Sequence, residues 1–124
     1  MPLYTVITQE HALSGETKRK MADEITRIHT TVMKVPKNFV RVVFLCYPDA
    51  SGYAAGLEAP IAAVNCVLRS GHSVAEKQDM LQQLWAMFQQ MTGIATDHLA
   101  ISLQEIPSSN AMEMGQIMPE VGQK

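Results

Sequence analysis

The sequence predicts an α/β (α+β) fold made of two copies of a β-α-β unit, with a four-stranded, mainly parallel sheet and two helices on one face. Two observations support this prediction. A shift of 59 positions aligns the two halves of the chain, and each half contains an apolar strand-like run, a long amphipathic segment and a second apolar run. Because parallel neighbouring strands need a long crossover connection, the segment between each pair of runs is expected to be a helix.

The repeat consists of residues of matching type. Ser14 falls on Ser73 and Lys18 on Lys77, and the apolar positions coincide along both halves. The apolar pairs are Met21 and Met80, Ile25 and Leu84, Ile28 and Met87, Val32 and Met91, Val35 and Ile94, Val40 and Leu99, Val42 and Ile101, and Phe44 and Leu103. We therefore expect one domain over residues 1–124, with repeat units at about 2–47 and 61–105.

The first unit is predicted to contain a strand at 3–8, a helix at 14–33 and a strand at 39–47. Ser14 is a suitable N-cap for the helix, and Pro36 follows its end. Apolar residues recur along this helix with the helical period, which predicts a face packed on the core.

The second unit is predicted to contain a strand at 61–69, a helix at 73–92 and a strand at 98–105, with Ser73 as N-cap and Gly93 at the helix end. Its apolar stripe is rich in methionine, which is also a feature of adaptable binding grooves. Since the stripe is in register with the aliphatic stripe of the first helix, we interpret it as core.

The remaining segments suggest contacts outside the repeat. Residues 48–56 are rich in turn formers and predict a flexible excursion or hairpin at a substrate entrance or subunit contact. The stretch 107–124 is predicted to be an extended arm. The strands at 41–46 and 62–68 are apolar on both faces, so one layer of helices leaves apolar sheet exposed, which favours a homo-oligomer.

Composition narrows the function classes. The chain has 124 residues and a formal net charge of −2, which argues against a nucleic-acid partner. No apolar run reaches the roughly 20 residues that span a bilayer, and the first residues do not resemble a secretory signal, so we expect a cytoplasmic protein without a membrane partner. Cys46 and Cys66 lie in apolar runs and are expected to be reduced, and the four histidines show no metal-ligand spacing.

Pro2 is the residue with the most distinctive chemistry. If the initiator methionine is removed, as small second residues generally permit, Pro2 becomes a secondary amine at the start of a strand. An ordinary α-amino group titrates near pH ~7.7–8.0, and burial or nearby cations lower that value, so the amine could act as a base near neutral pH. A proline at position 2 is also common in proteins without any such role.

Three other residues have ordinary interpretations when taken alone. His29 lies on the apolar side of its helix, where a boundary histidine of the core is expected. Arg69 ends a strand, which suits a solvated arginine, although ligands of α/β units often bind at the ends of strands. Glu113 lies in the predicted arm and has the character of a surface charge.

Together these features resemble the tautomerase superfamily, and in detail its cis-3-chloroacrylic acid dehalogenase branch. The resemblance covers most of the chain in order and spacing. Its motifs are Pro2-Leu-Tyr-Thr-Val, His29 within Ile-Thr-Arg-Ile-His, Leu-Arg-Ser-Gly-His at 68–72, Glu-Ile-Pro at 105–107 and Met-Glu-Met-Gly at 112–115.

The resemblance implies a role for each matching residue. Pro2 would be the catalytic amine, Arg69 the cation that binds a substrate carboxylate, His29 a hydrogen-bonding partner near that carboxylate, and Glu113 the group that activates water. It also implies a homotrimer that acts on a small carboxylate substrate without metal or organic cofactor.

Two positions depart from the dehalogenase pattern. His72 stands in place of its second arginine and Ser102 in place of a tyrosine. Neutral histidine lacks the charged fork of arginine, and serine lacks the length and acidity of a phenol, which argues against dehalogenation. Arg41 resembles the second-strand arginine of the 4-oxalocrotonate tautomerase family, which reaches an active site across a subunit boundary. Arg41 would either add a second cation in this way or form a structural ion pair.

The sequence thus predicts a cofactor-independent tautomerase in which Pro2 transfers protons in a 2-hydroxydienoate or an aryl pyruvate enol. Two alternatives remain open. One is a hydratase or dehalogenase of 3-substituted acrylates, with Glu113 orienting water. The other is a non-catalytic binding module that has kept the fold.

Overall fold

The computed structural model describes residues 1–122 and contains the two predicted β-α-β units. The C-terminal residues 123–124 of the predicted arm lie outside the described residues. The first unit is β1 (Leu3–Gln9), α1 (Gly15–Met33) and β2 (Arg41–Tyr47), followed by two short strands, β3 (Tyr53–Ala54) and β4 (Leu57–Glu58). The second unit is β5 (Ala62–Arg69), α2 (Val74–Thr92) and β6 (Leu99–Ile106), followed by β7 (Met112–Glu113) and β8 (Gln116–Ile117).

The four long strands form one sheet in the order β2-β1-β5-β6. Within each unit the two strands are parallel, as predicted, whereas β1 and β5 join the units in the antiparallel sense. Consequently the starts of β1 and β2 lie at the same end of the sheet, along the strand direction, as the ends of β5 and β6.

Capping residues define both helices where the sequence predicts them. The Ser14 side chain accepts a hydrogen bond from the Thr17 amide, and Ser73 forms a reciprocal capping box with Glu76. Each helix is followed by a C-cap residue in the left-handed backbone conformation, Lys34 after α1 and Gly93 after α2. Gly93 has φ 67°, a conformation that glycine adopts without the steric cost that lysine bears.

The core lies between the two helices and one face of the sheet. The predicted apolar stripes of α1 and α2 are buried there, together with alternate residues of the strands such as Tyr4, Val6 and Val64. The methionine-rich stripe of α2 therefore packs in the core rather than lining a groove.

The other face of the sheet carries apolar side chains in contact with solvent. Leu45 is 52% exposed, and Leu3, Ile7 and Val43 on the same face are each at least 38% exposed. The prediction that one layer of helices leaves apolar sheet uncovered is confirmed for this single chain. Within residues 1–122, neither helix combines the length and apolar character required to cross a bilayer.

The prediction of an extended arm after residue 107 was wrong for most of its length. Ser108–Asn110 form a 3-10 turn, and β7 and β8 pair as a hairpin whose turn residues Met114 and Gly115 have φ values of 53° and 76°. Two successive residues with positive φ form a tight hairpin turn whose twist matches that of the paired strands. The strand β8 therefore returns antiparallel to β7.

The same hairpin occurs at the equivalent place in the first unit, where β3 and β4 are joined through Ala55 and Gly56 with φ values of 52° and 79°. The shift of 59 positions relates both turns, so the duplication includes these hairpins as well as the strands and helices. The predicted hairpin within 48–56 exists but extends to Glu58.

Candidate active site

The sheet topology brings the start of the chain and two arginines to the same end of the sheet. Arg41 begins β2 and Arg69 ends β5, on the two strands that flank β1, which starts directly after the fully buried Pro2. The Arg41 amide donates to the Pro2 carbonyl at 3.1 Å, which fixes β2 against the N-terminus. Residues that are far apart in the sequence thus lie together around the start of the chain.

Glu113 approaches this point from the C-terminal hairpin. Its side chain is buried, and Oε2 accepts a hydrogen bond from Nη1 of Arg41 at 3.1 Å. Its other oxygen, Oε1, contacts the amino group of Met1. Glu113 is therefore a buried carboxylate beside the N-terminus, in contrast to the surface charge that its local sequence suggests.

Burial and two positive charges favour a neutral amine at this position, whereas the carboxylate of Glu113 favours its protonated form. Burial, with smaller contributions from the positive charges of Arg41 and Arg69, lowers the pKa of the Met1 amino group from 8.0 to about 6. The physical causes belong to the location rather than to methionine. A Pro2 amine exposed by loss of Met1 would lie one residue along the same backbone and experience the same two arginines.

Arg69 is only 9% exposed and borders a cleft of about 680 Å3. Its Nη1 donates to the carbonyl of Pro119, so the C-terminal segment lies directly over it. His72 and Glu113 also line this cleft. Burial is the main factor that lowers the pKa of His72, and the positive charge of Arg69 adds to it, which favours a neutral imidazole.

The apolar wall of the cleft comes from the end of α1 and from the C-terminal segment. Gly71 has φ 116°, and a Cβ at this residue would lie 3.1 Å from Val121, so glycine permits the close approach of that segment. The apolar lining side chains are Met33, Val35, Pro36, Phe39, Met114, Ile117, Met118, Pro119 and Val121.

His29 lies in the core, 1% exposed, and its Nδ1 is 2.7 Å from the hydroxyl of Tyr4. Burial chiefly, with smaller effects of His72 and the N-terminal amino group, lowers the pKa of His29 to about 4. The imidazole is therefore neutral at pH 7 and close enough to both groups to be affected by their charge.

The buried His29 predicts a specific pH dependence of stability. The unfolded chain binds a proton at this side chain near pH 6.5, whereas the folded chain binds it only near pH 4. The free energy of unfolding should therefore fall as the pH drops through this window, by about 3 kcal/mol from this residue. Urea unfolding at several pH values measures the slope.

The variant His29→Asn should show a shallower slope than the wild type between pH 6.5 and 4. His11→Asn is the matched control, because His11 is exposed and has a positive φ that asparagine tolerates. An unchanged slope in His29→Asn would assign the pH dependence to other groups.

Ser102 lies apart from the cleft within this chain. It is exposed in the middle of β6, on the open face of the sheet, and its hydroxyl donates to the side-chain oxygen of Asn65 at 3.0 Å. Of the seven residues singled out from the sequence, only Ser102 is not assembled around the N-terminus.

The equivalent location in the other half lacks the required groups. The shift of 59 positions places Ala100 opposite Arg41, Glu10 opposite Arg69 and Ala54 opposite Glu113, and the chain continues through Ile61 where the first unit has its N-terminus. Residues 1–122 therefore contain these groups at one location, although the backbone is duplicated. Within residues 1–122 no group of three His, Cys, Asp or Glu side chains is arranged to hold a metal ion.

A duplicated β-α-β fold with Pro2 buried among two arginines and a carboxylate is typical of the class of tautomerase-fold proteins. The model of the family described as "Putative oxalocrotonate tautomerase enzyme" matches residues 1–124, so the chain belongs to this family. The predicted membership of the tautomerase superfamily is thus confirmed.

Solved structures agree with this assignment. The chain is 27% identical to N1, a member of the cis-3-chloroacrylic acid dehalogenase family, over 97% of this chain and 85% of that one, with a TM-score of 0.91. It is 29% identical to native Ps01740 over 90% of this chain and 99% of that one, with a TM-score of 0.87.

A symmetric trimer of fused 4-OT is 20% identical and shares the fold, with a TM-score of 0.85 over 94% of both chains. A search of curated proteins gave no match.

Proposed function

We propose that the protein is a cofactor-independent tautomerase in which the amine of Pro2, freed by removal of Met1, transfers a proton in a 2-hydroxydienoate or an aryl pyruvate enol. One observation carries the proposal. The chain start is buried between Arg41, Arg69 and Glu113, where burial and the two arginines lower the pKa of the Met1 amino group to about 6.

In this mechanism the neutral Pro2 amine takes the proton of the enolic hydroxyl and returns a proton to carbon. Arg69 binds the substrate carboxylate from the cleft wall and stabilises the dienolate that develops. A correctly placed base contributes roughly 10²–10⁴-fold to the rate, and a charged donor at the developing anion adds to it. Arg41 holds Glu113 beside the amine. The positive charge of Arg41 lowers the pKa of the amine and so helps to keep it neutral.

The test combines intact mass with a rate measurement. Native protein should lack Met1 and should accelerate ketonisation of phenylpyruvate enol or 2-hydroxymuconate, followed by ultraviolet absorbance. Protein that retains Met1 has an amide nitrogen at Pro2 and should be about 10²–10⁴-fold slower, because it lacks the base. Processed protein without activity on either enol would instead support a non-catalytic module.

The same proposal includes a homotrimer. The apolar open face of β1 and β2, with Leu45 half exposed, needs a cover, and trimeric fused 4-OT shares the fold. Sedimentation equilibrium should give three times the chain mass of 13.7 kDa. A monomer at micromolar concentration would show that the face stays open in solution.

A hydratase or dehalogenase is the second candidate, because Glu113 is buried next to the amine, where it can orient water. We expect this activity to be weak. His72 lines the cleft as a largely neutral group, and Ser102 lies outside the chain's own cleft, so both polarisation and water activation are reduced.

Steady-state chloride release from cis-3-chloroacrylate measures this activity. The wild type should release chloride orders of magnitude more slowly than it ketonises enols. The double variant His72→Arg with Ser102→Tyr should raise the rate, more than the two single variants combined if both groups act on one transition state. Robust release from the wild type would favour the hydratase function over tautomerisation.

A further inference from the structure

Tyr4 is a buried side chain next to the proposed site that has no role in the mechanism above. It lies on β1, two residues after Pro2, and faces the helices. Its ring meets the imidazole of His29 edge to face, with the ring centroids 5.5 Å apart and an interplanar angle of 90°. Its hydroxyl oxygen is 2.7 Å from His29 Nδ1 and 3.4 Å from the sulfur of Met80.

The hydroxyl has one proton and can therefore donate to only one of these two acceptors at a time. If it donates to the nitrogen, Nδ1 of His29 has no proton and Nε2 has one. If it donates to the sulfur, Nδ1 must itself be protonated and donate to the hydroxyl. A thioether is a weak acceptor, whereas an imidazole nitrogen at 2.7 Å is a strong one, so the first arrangement is favoured.

The protonation of the neighbours is consistent with this direction. Burial raises the pKa of the Tyr4 hydroxyl, which therefore keeps its proton at every physiological pH. Burial also raises the pKa of Cys66 to about 12, so no thiolate competes as an acceptor for the tyrosine proton.

We propose that Tyr4 is a positioning residue that donates its hydroxyl proton to Nδ1 of His29 and so holds the imidazole in the tautomer protonated at Nε2. This inference rests on the proposed tautomerase function. His29 then offers the substrate a neutral N–H donor, suited to the carboxylate or to the oxygen that becomes a carbonyl. It does not act as a base, and Pro2 remains the base of the site.

The tautomer can be observed without any variant. In a long-range 1H–15N spectrum of the labelled protein at pH 7, His29 should show a protonated Nε2 and an unprotonated Nδ1 of the pyridine type. The His29→Asn variant assigns the signals by their loss. A protonated Nδ1 in the wild type would overturn the proposal.

Two variants then test the consequence. Tyr4→Phe keeps the ring but removes the donor, and should shift the Nδ1 resonance and lower kcat for enol ketonisation about tenfold, as expected for loss of a group that orients an active imidazole. Met80→Leu is the matched control, because it removes the sulfur contact and leaves the hydroxyl. It should preserve both the tautomer and kcat.

The outcomes separate the inference from the proposed function. A Tyr4→Phe protein with unchanged Nδ1 resonance and kcat would overturn the positioning role while the tautomerase function stands. A change from a protonated Nδ1 in the wild type to an unprotonated Nδ1 in Met80→Leu would show that the wild-type hydroxyl donates to sulfur, and would overturn the proposal. A wild type without turnover would refute the function, and the spectrum would still decide the tautomer. If Tyr4→Phe does not fold, the wild-type spectrum remains decisive.

Discussion

Protein blocked at Pro2 is expected to ketonise enols about 10²–10⁴-fold more slowly than protein with a free Pro2 amine. The blocked nitrogen is an amide, which is not basic, and the residue before Pro2 also lies against Glu113 in the buried site. A precursor with a removable N-terminal extension gives both forms from one preparation. Their kcat/KM for phenylpyruvate enol is measured before and after cleavage, with inactivated protease as the control.

The pH profile distinguishes loss of the base from simple obstruction of the site. Activity of the free form should rise with pH as the amine loses its proton, with a midpoint below that of an exposed α-amino group, because burial and the two arginines lower its pKa. Pro2→Ala retains a primary amine and should lower the rate without abolishing it. Equal activity of blocked and free protein would refute the proline mechanism.

Replacing Arg69 with alanine is expected to lower kcat/KM about 10²-fold or more, on the order of 3 kcal/mol, because the substrate carboxylate and the developing enolate lose a charged donor. Arg69→Lys keeps the charge without the planar fork and should fall between wild type and Arg69→Ala. Steady-state kinetics with phenylpyruvate enol measures both.

Arg41→Ala should have a smaller effect, since Arg41 is paired with Glu113 in its own chain. Arg27→Ala is the control, because Arg27 forms an exposed ion pair with Glu24 on α1. Thermal unfolding of each variant checks whether loss of the Arg69 contact with the Pro119 carbonyl alters stability. Wild-type kinetics in Arg69→Ala would show that the carboxylate binds elsewhere, and a larger loss in Arg41→Ala would relocate it toward Arg41.

Much of the fold could be predicted because its signals are local and repeated. The caps at Ser14 and Ser73 and the two in-register apolar stripes specify both helices through contacts within a few residues, and both were found where predicted. The C-terminal hairpin was missed, although the pair Met114-Gly115 repeats Ala55-Gly56 at the same shift of 59 positions. Two turn residues are a weaker signal than the hydrophobic periodicity of a strand or helix. They predict a hairpin here only when the internal repeat is taken into account.

The sequence by itself determined the duplicated plan, the helix limits, the apolar face left on the sheet and the residue types from which a site could be built. Only the tertiary structure decided that Glu113 is a buried carboxylate paired with Arg41, that His29 is held by Tyr4, and that Ser102 lies away from the cleft. Helix periods and caps arise between near neighbours in the chain. Burial and the pKa of a side chain depend on residues brought close by the antiparallel joining of the two units, which no local pattern encodes.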